Sequence, residues 1–262
     1  MRSVGRLASV VGLMSCAVSA HAGWYVIRNY EGQVGSLPIH ASLQSYTFGS
    51  GQNLEGSYYY DSHRAPIPLY GKATGGVIAL CEVHNAAEFD KHIATGAAFS
   101  ADTCPFQLAA DGDHLRGTWS DGAHRYDVAL KEVGALDDTS STANIHGELV
   151  IPYWGQTATH GFFGIYRKVG DGLLVDHIDV VNKRTGKTDQ VIWTGKAGKA
   201  LDQEAQDCYF GFYMTPIYMN VQSDGEAGSV QLNCYTKSSP DQVIHLQLDS
   251  KTGRYRSLHA GI

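Results

Sequence analysis

The residues that could carry chemistry are few, and each group lacks the partner that would complete it. His84, Glu88 and His92 recur four apart, so on a helix they would share one face and could hold zinc. A short amphipathic helix with an outward polar face explains the same spacing, and nothing nearby supplies the groups that orient metal-bound histidines. Asp176, His177 and Asp179 form a carboxylate–imidazole group. In a strand His177 and Asp179 share a face and Asp176 points the other way. No serine or cysteine nucleophile accompanies them, so an ion pair is expected. Asp111-Gly112-Asp113 lacks the twelve-residue calcium pattern with its terminal glutamate, and reads as a hairpin turn. Gly195-Lys196-Ala197-Gly198-Lys199 lacks the P-loop spacing, and neither G-x-S-x-G nor H-E-x-x-H occurs. The expectation is a non-enzyme with no cofactor and no metal.

What is left is aromatic and basic. Tyr58, Tyr59 and Tyr60 are followed by His63 and Arg64, while Trp119 is followed by His124 and Arg125. These belong to an internal repeat: residues 54–69 (LEGSYYYDSHRAPIPL) align without a gap on 115–130 (LRGTWSDGAHRYDVAL). Each copy reads as strand, turn, strand. Leu54, Gly56, Tyr58 and Tyr60 fall on one face, as do Leu115, Gly117 and Trp119. A glycine two residues before a large aromatic suggests that a ring from a neighbouring strand lies across it. Tyr58 and Trp119 are then expected in the core. Tyr59, on the other face, is expected to be exposed beside His63 and Arg64. With His124 and Arg125, these form the candidate binding residues.

The elements that position them are strands. Period-two alternation recurs through residues 54–60, 67–71, 115–119 and 126–130, with Asp61-Ser62, Gly75-Gly76, Asp111-Gly112 and Asp121-Gly122 as turns between. The expected fold is all-β and mainly antiparallel, in two sandwich-like or barrel-like halves. Its one helical excursion falls near residues 85–99, where Asn85 and Glu88 suit a capping box. Residues 23–134 form the first half. The acidic, hydroxyl-rich stretch 135–142 reads as a linker, and 143–262 as a second β half.

The start of the chain reads as an export signal. Arg2 and Arg6 precede an apolar stretch at 7–19 and the cleavage site Ala20-His21-Ala22, placing the mature start at Gly23. The alternative is a lipoprotein anchored at Cys16, in the run Leu13-Met14-Ser15-Cys16. A periplasmic or secreted location without an integral membrane segment follows. Four cysteines then persist, Cys81, Cys104, Cys208 and Cys234. In an oxidising compartment they imply disulfides, with three possible connectivities. The local one joins Cys81 to Cys104 and Cys208 to Cys234. The net charge of −6 argues against nucleic acid as a partner.

Residues 30–131 also resemble a β-domain family of uncharacterised exported bacterial proteins. The resemblance is carried by Tyr30-Glu31-Gly32, Pro38-Ile39-His40, Gly56-Ser57-Tyr58-Tyr59-Tyr60, Pro66-Ile67-Pro68-Leu69-Tyr70-Gly71 and Leu115-Arg116-Gly117-Thr118-Trp119. Some members accompany lysozyme-inhibitor domains. The resemblance implies a small antiparallel β domain of the cell envelope and brings no catalytic residues. Three functions follow as expectations. The first is a protein that binds or inhibits an envelope protein or cell-wall component, and the acidic balance suits a basic hydrolase. The second is a small-ligand carrier of the barrel type. The third is a hydrolase with a dispersed site.

Overall fold

The computed structural model describes residues 25–46, 53–85, 89, 100–137, 144–169, 172–194, 217–234 and 242–257. The fold is all-β and antiparallel throughout its pairings. Eight strands close a barrel: β1 (Tyr25–Val34), β2 (Leu37–Tyr46), β3 (Leu54–Tyr60), β4 (Ile67–Thr74), β5 (Val77–Glu82), β6 (Phe106–Asp111), β7 (His114–Ser120) and β8 (Arg125–Asp137). Each pairs with the next in sequence, and β8 returns to β1. Closure removes both sheet edges. A short β9 (Asn144–His146) extends the sheet beyond β8.

The alternation seen in the sequence sorts side chains to the two sides of the barrel wall. Leu43, Leu54, Tyr58, Leu69, Leu80, Phe106, Leu115 and Val128 pack in the barrel's core, and Trp119 lies against it half-buried. Tyr58 is 2% exposed, as the repeat implied. The glycines of the repeat are crowded by backbone rather than by a ring. A side chain at Gly56 would meet the Ser42 carbonyl, and one at Gly117 the Gln107 carbonyl. The two hairpins are also not quite superposable. Tyr58 faces Ile67, while Trp119 faces Tyr126. The turn of the first hairpin is two residues longer, so the gapless alignment slips by two in the second strand.

The stretch read as a linker begins as strand. Ala135, Leu136 and Asp137 are the end of β8, paired with both β1 and β9. Leu136 is buried against the second half, which explains why this acidic-looking stretch keeps its strand. Among the described residues that half holds two four-stranded sheets. One comprises β10 (Leu149–Pro152), β11 (His160–Val169), β12 (Gly172–Asn182) and β13 (Thr188–Trp193). The other comprises β14 (Val221–Ser223), β15 (Ser229–Cys234), β16 (Gln242–Asp249) and β17 (Arg254–Ser257). They share one core, including Ile151, Phe162, Ile178, Leu232 and Leu246, and Ile27 and Leu136 of the barrel wall join it. A hydrophobic seam therefore ties the barrel to the second half.

Cys81 and Cys104 form a disulfide. It closes the base of the excursion between β5 and β6, whose described residues include a 3-10 turn (Ala101–Thr103). The helix expected near 85–99 lies mostly outside the described residues. So do the export signal, Cys16, Cys208, Glu88, His92 and the 195–199 loop. Phe89 is described, and it packs between Tyr70 and Trp154. No described helix is long and apolar enough to cross a membrane.

Candidate functional site

The feature most suited to engaging a partner lies on the outside of the barrel. In register, Lys131 of β8, Glu31 of β1, His40 of β2 and Tyr59 of β3 form one row across the wall. All four face outward, because the inward positions of these strands fill the barrel core. The His40 ring stacks on Tyr59, with centroids 5.1 Å apart and planes 7° from parallel. Its Nδ1 lies 2.7 Å from Asp61 Oδ1, and its Nε2 3.2 Å from Glu31 Oε1. A carboxylate only accepts, so both contacts are hydrogen bonds only while the ring carries two protons.

Beside this row is a cavity of about 330 Å³. Its walls include Asn29, Glu31, His40 and Tyr59 on the barrel side, and Glu148, Val150 and Pro152 at β10. A bulge in β8 opposite Asn29 and Tyr30 throws Val133 out of register and into the cavity wall. Bulges commonly end or re-aim pairing in this way. A shallower depression continues from it over Gly32, Asp61 and Lys131. Glu31, Asp61 and Glu148 make the groove acidic, with Lys131 as its counter-charge. Asn29 is only 6% exposed. Its Nδ2 donates to the Val150 carbonyl at 2.8 Å, while its Oδ1 has no hydrogen-bond partner among the described residues.

The sequence places Tyr59 on an exposed face. The structure corrects this: Tyr59 is 7% exposed, packed against Phe163 and Val181, with Val150 alongside. The reasoning assumed a sheet bare on one side, but the second half covers this part of the wall. Burial pushes the Tyr59 phenol up to about 12, against a smaller opposing pull from Arg64. Arg64 is half-buried as well. It adopts a left-handed backbone, φ 46°, and its guanidinium lies 5.7 Å from the Tyr59 ring centre and 5.0 Å from that of Phe163. His63 stays exposed in the same turn, 2.8 Å from Ser62 Oγ. His124 is exposed in the turn of the other hairpin, where Asp121 accepts from its backbone N–H, and Arg125 is exposed at the start of β8. The structure therefore puts Tyr59 in the cavity wall, with Arg64 over its ring and that of Phe163, and leaves Arg64, His63, His124 and Arg125 out of the lining.

Asn29, Glu31, His40, Asp61 and Glu148 were not singled out as chemistry. Glu31 and His40 flank the tight turn at Gly35 as direct cross-strand partners. Locating that turn from Gly35 would have paired them.

The remaining sequence candidates resolve into local structure. His177 Nδ1 lies 3.0 Å from Asp176 and its Nε2 3.8 Å from Asp179. Asp176 sits at a bulge opposite Ile165 and Tyr166, which is why it reaches His177 instead of the opposite face. Arg167 donates to Asp176 at 2.8 Å. Burial pushes the Asp176 carboxyl up, but hydrogen bonds from His177 and Arg167 outweigh it and hold the group below its ordinary range. His84 lies 3.0 Å from Glu82. Asp111 and Asp113 flank a hairpin turn at Gly112. No group of three metal-ligating side chains occurs among the described residues. No protein-family model, no curated protein and no solved structure matches this chain.

Proposed function

We propose that the protein is a non-catalytic binder of the exported cell envelope, and that it holds a basic macromolecule, a cell-wall hydrolase of the lysozyme kind, in the acidic groove on its barrel wall. The observation that carries this reading is the groove. Glu31 and Glu148 line a cavity of about 330 Å³ outside the barrel, and Asp61 the depression that continues from it, while the barrel interior is packed with side chains. A carrier would use the interior of such a barrel. The closed eight-stranded wall is what favours that alternative; the packed interior counts against it. The export-like start of the chain, the Cys81–Cys104 disulfide and the net charge of −6 support an extracytoplasmic partner of opposite charge. Acidic rims steer basic partners and make association salt-dependent.

Titration of the chain from Gly23 onward against lysozyme, by calorimetry at low and high salt, tests the reading. Saturable binding is expected that weakens with salt, and several-fold again in Glu31→Gln and Asp61→Asn. Absence of binding, or binding indifferent to both variants, overturns it.

A further inference from the structure

The turns that follow β1, β3 and β7 lie at one end of the barrel, where β5 also ends, and the inward residues there differ from the aliphatic core below. Glu82 ends β5. It faces Leu69 across the β4–β5 pair and follows inward Leu80 by two, so its side chain enters the barrel mouth. Its carboxylate is nearly buried, 9% exposed. Tyr58 Oη and Trp119 Nε1 both donate to Oε1, at 2.7 and 2.8 Å. The other oxygen lies 3.0 Å from Nε2 of His84, itself 76% exposed. Among the described residues no lysine or arginine pairs with Glu82. A carboxylate removed from water needs a positive partner or a full set of donors, and here the donors on Oε1 are neutral.

The rings beside it stand at the same end of the barrel. Tyr60 meets Tyr58 edge to face, 5.6 Å between centres. Trp119 stacks with its cross-strand partner Tyr126 at 5.9 Å, and Tyr126 with His124 at 6.2 Å. Tyr126 is 43% exposed, an unusual state for an inward position on a barrel strand. A carboxylate set among tyrosine and tryptophan rings is the chemistry that recognises an organic cation, through charge and ring faces together. Barrel mouths are a preferred place for such sites.

We propose that the barrel mouth is a binding site for a small alkylated ammonium cation, held against Glu82 and the rings of Tyr60, Trp119 and Tyr126. The site is separate from the groove and does not depend on what the groove binds. The cation places a permanent positive charge beside Glu82, whose one ionisable partner among the described residues is the exposed His84, and its alkyl groups cover the part-exposed rings.

Calorimetric titration with choline, with its uncharged tert-butyl analogue and with acetyl-lysine amide tests this. Choline is expected to saturate in the millimolar range. The uncharged analogue should bind about tenfold more weakly, the worth of a partly desolvated cation–aromatic contact. Glu82→Gln keeps an acceptor for Tyr58 and Trp119 but loses the charge, and should weaken choline by a similar factor. Tyr126→Ala changes an exposed rim residue and should weaken it several-fold with the fold intact. If Glu82→Gln fails to fold, the Tyr126 variant and the choline-to-analogue ratio still decide. Equal binding of choline and its analogue, no saturation by choline, or binding of acetyl-lysine amide alone overturns the proposal.

Discussion

The two repeated hairpins, β3–β4 and β7–β8, share an inward pattern and differ in what lies behind them. Inside the barrel, Leu54 and Leu115 are both buried, as are Leu69 and Val128. Outside, the first hairpin presents Glu55, Ser57 and Tyr59, the second Arg116, Thr118 and Ser120. Ser57 and Tyr59 are buried and Glu55 half-buried; Arg116 is exposed and the other two are half-buried. Polar links fasten the first hairpin to the second half. Trp154 Nε1 donates to the Gly56 carbonyl, Gln156 to that of Pro66, and Ser42 beside it is bonded to Tyr218. The inward residues make a barrel strand; the outward ones decide whether that strand is also an interface.

The strongest test of this comparison is a set of alanine substitutions read by urea unfolding. Tyr58→Ala should cost about 3–5 kcal/mol, as buried aromatics do, and Trp119→Ala about 2–3 kcal/mol, because its ring is only half-buried against the same core. At the outward pair the hairpins should part. Tyr59→Ala is expected to cost about 3 kcal/mol or more, since Phe163 and Val181 lose their partner. Ser120→Ala should cost no more than about 1 kcal/mol, the worth of a hydrogen bond in an exposed turn. Similar costs for Tyr59→Ala and Ser120→Ala would mean that the second half adds nothing to the wall it covers.

The next outward pair separates the hairpins by pH. Burial pushes the Glu55 carboxyl up to about 7, although a hydrogen bond from Tyr46, 3.3 Å away, pulls it down. The folded state then holds the proton more tightly than the unfolded one. Stability from this group is complete below about pH 4.5 and is lost as pH rises through about 7. The full loss is on the order of 3 kcal/mol. Glu55→Gln should therefore be more stable than the parent at pH 8 and show a flatter profile between those limits, whereas Arg116→Gln should leave the profile unchanged. A profile that Glu55→Gln does not flatten would place the carboxyl in water.

How much of this was legible in the sequence follows from the same division. Inward positions obey a period of two whatever surrounds the barrel, so the all-β class, the hairpins and the buried Tyr58 could be read from residues 54–60 and 115–119. The Cys81–Cys104 bond could be read because it is local. Closure of the wall could not, since the pairing of β1 with β8 joins residues about a hundred positions apart and no local pattern marks it. The burial of Tyr59 was hidden for a related reason: its cover, Phe163 and Val181, comes from strands read as a separate half. The groove escaped because its row of Glu31, His40 and Tyr59 is a property of register, and because Gly134, the strand glycine beside the bulged Val133, does not by itself say which face the bulge opens. Asp176 misled for the same reason, a bulge that turns one residue across a strand.

The smallest expected difference concerns the arginines that the repeat makes equivalent. Both follow a histidine in a hairpin turn, and by sequence both should be replaceable at no cost. Arg125→Ala should indeed stay within about 0.5 kcal/mol, as exposed substitutions do. Arg64 lies instead over Phe163 and Tyr59 at the seam between the halves, and Arg64→Ala should cost about 1–2 kcal/mol, the range for partly desolvated cation–ring contacts. Its left-handed backbone is no easier for alanine, so the loss reports the side chain. A double-mutant cycle with Phe163→Leu isolates the ring contact: the cost of Arg64→Ala should shrink by at least about 0.5 kcal/mol in that background. If it does not shrink, the guanidinium gains nothing from the ring, and the arginine holds its turn by packing of its aliphatic stem alone.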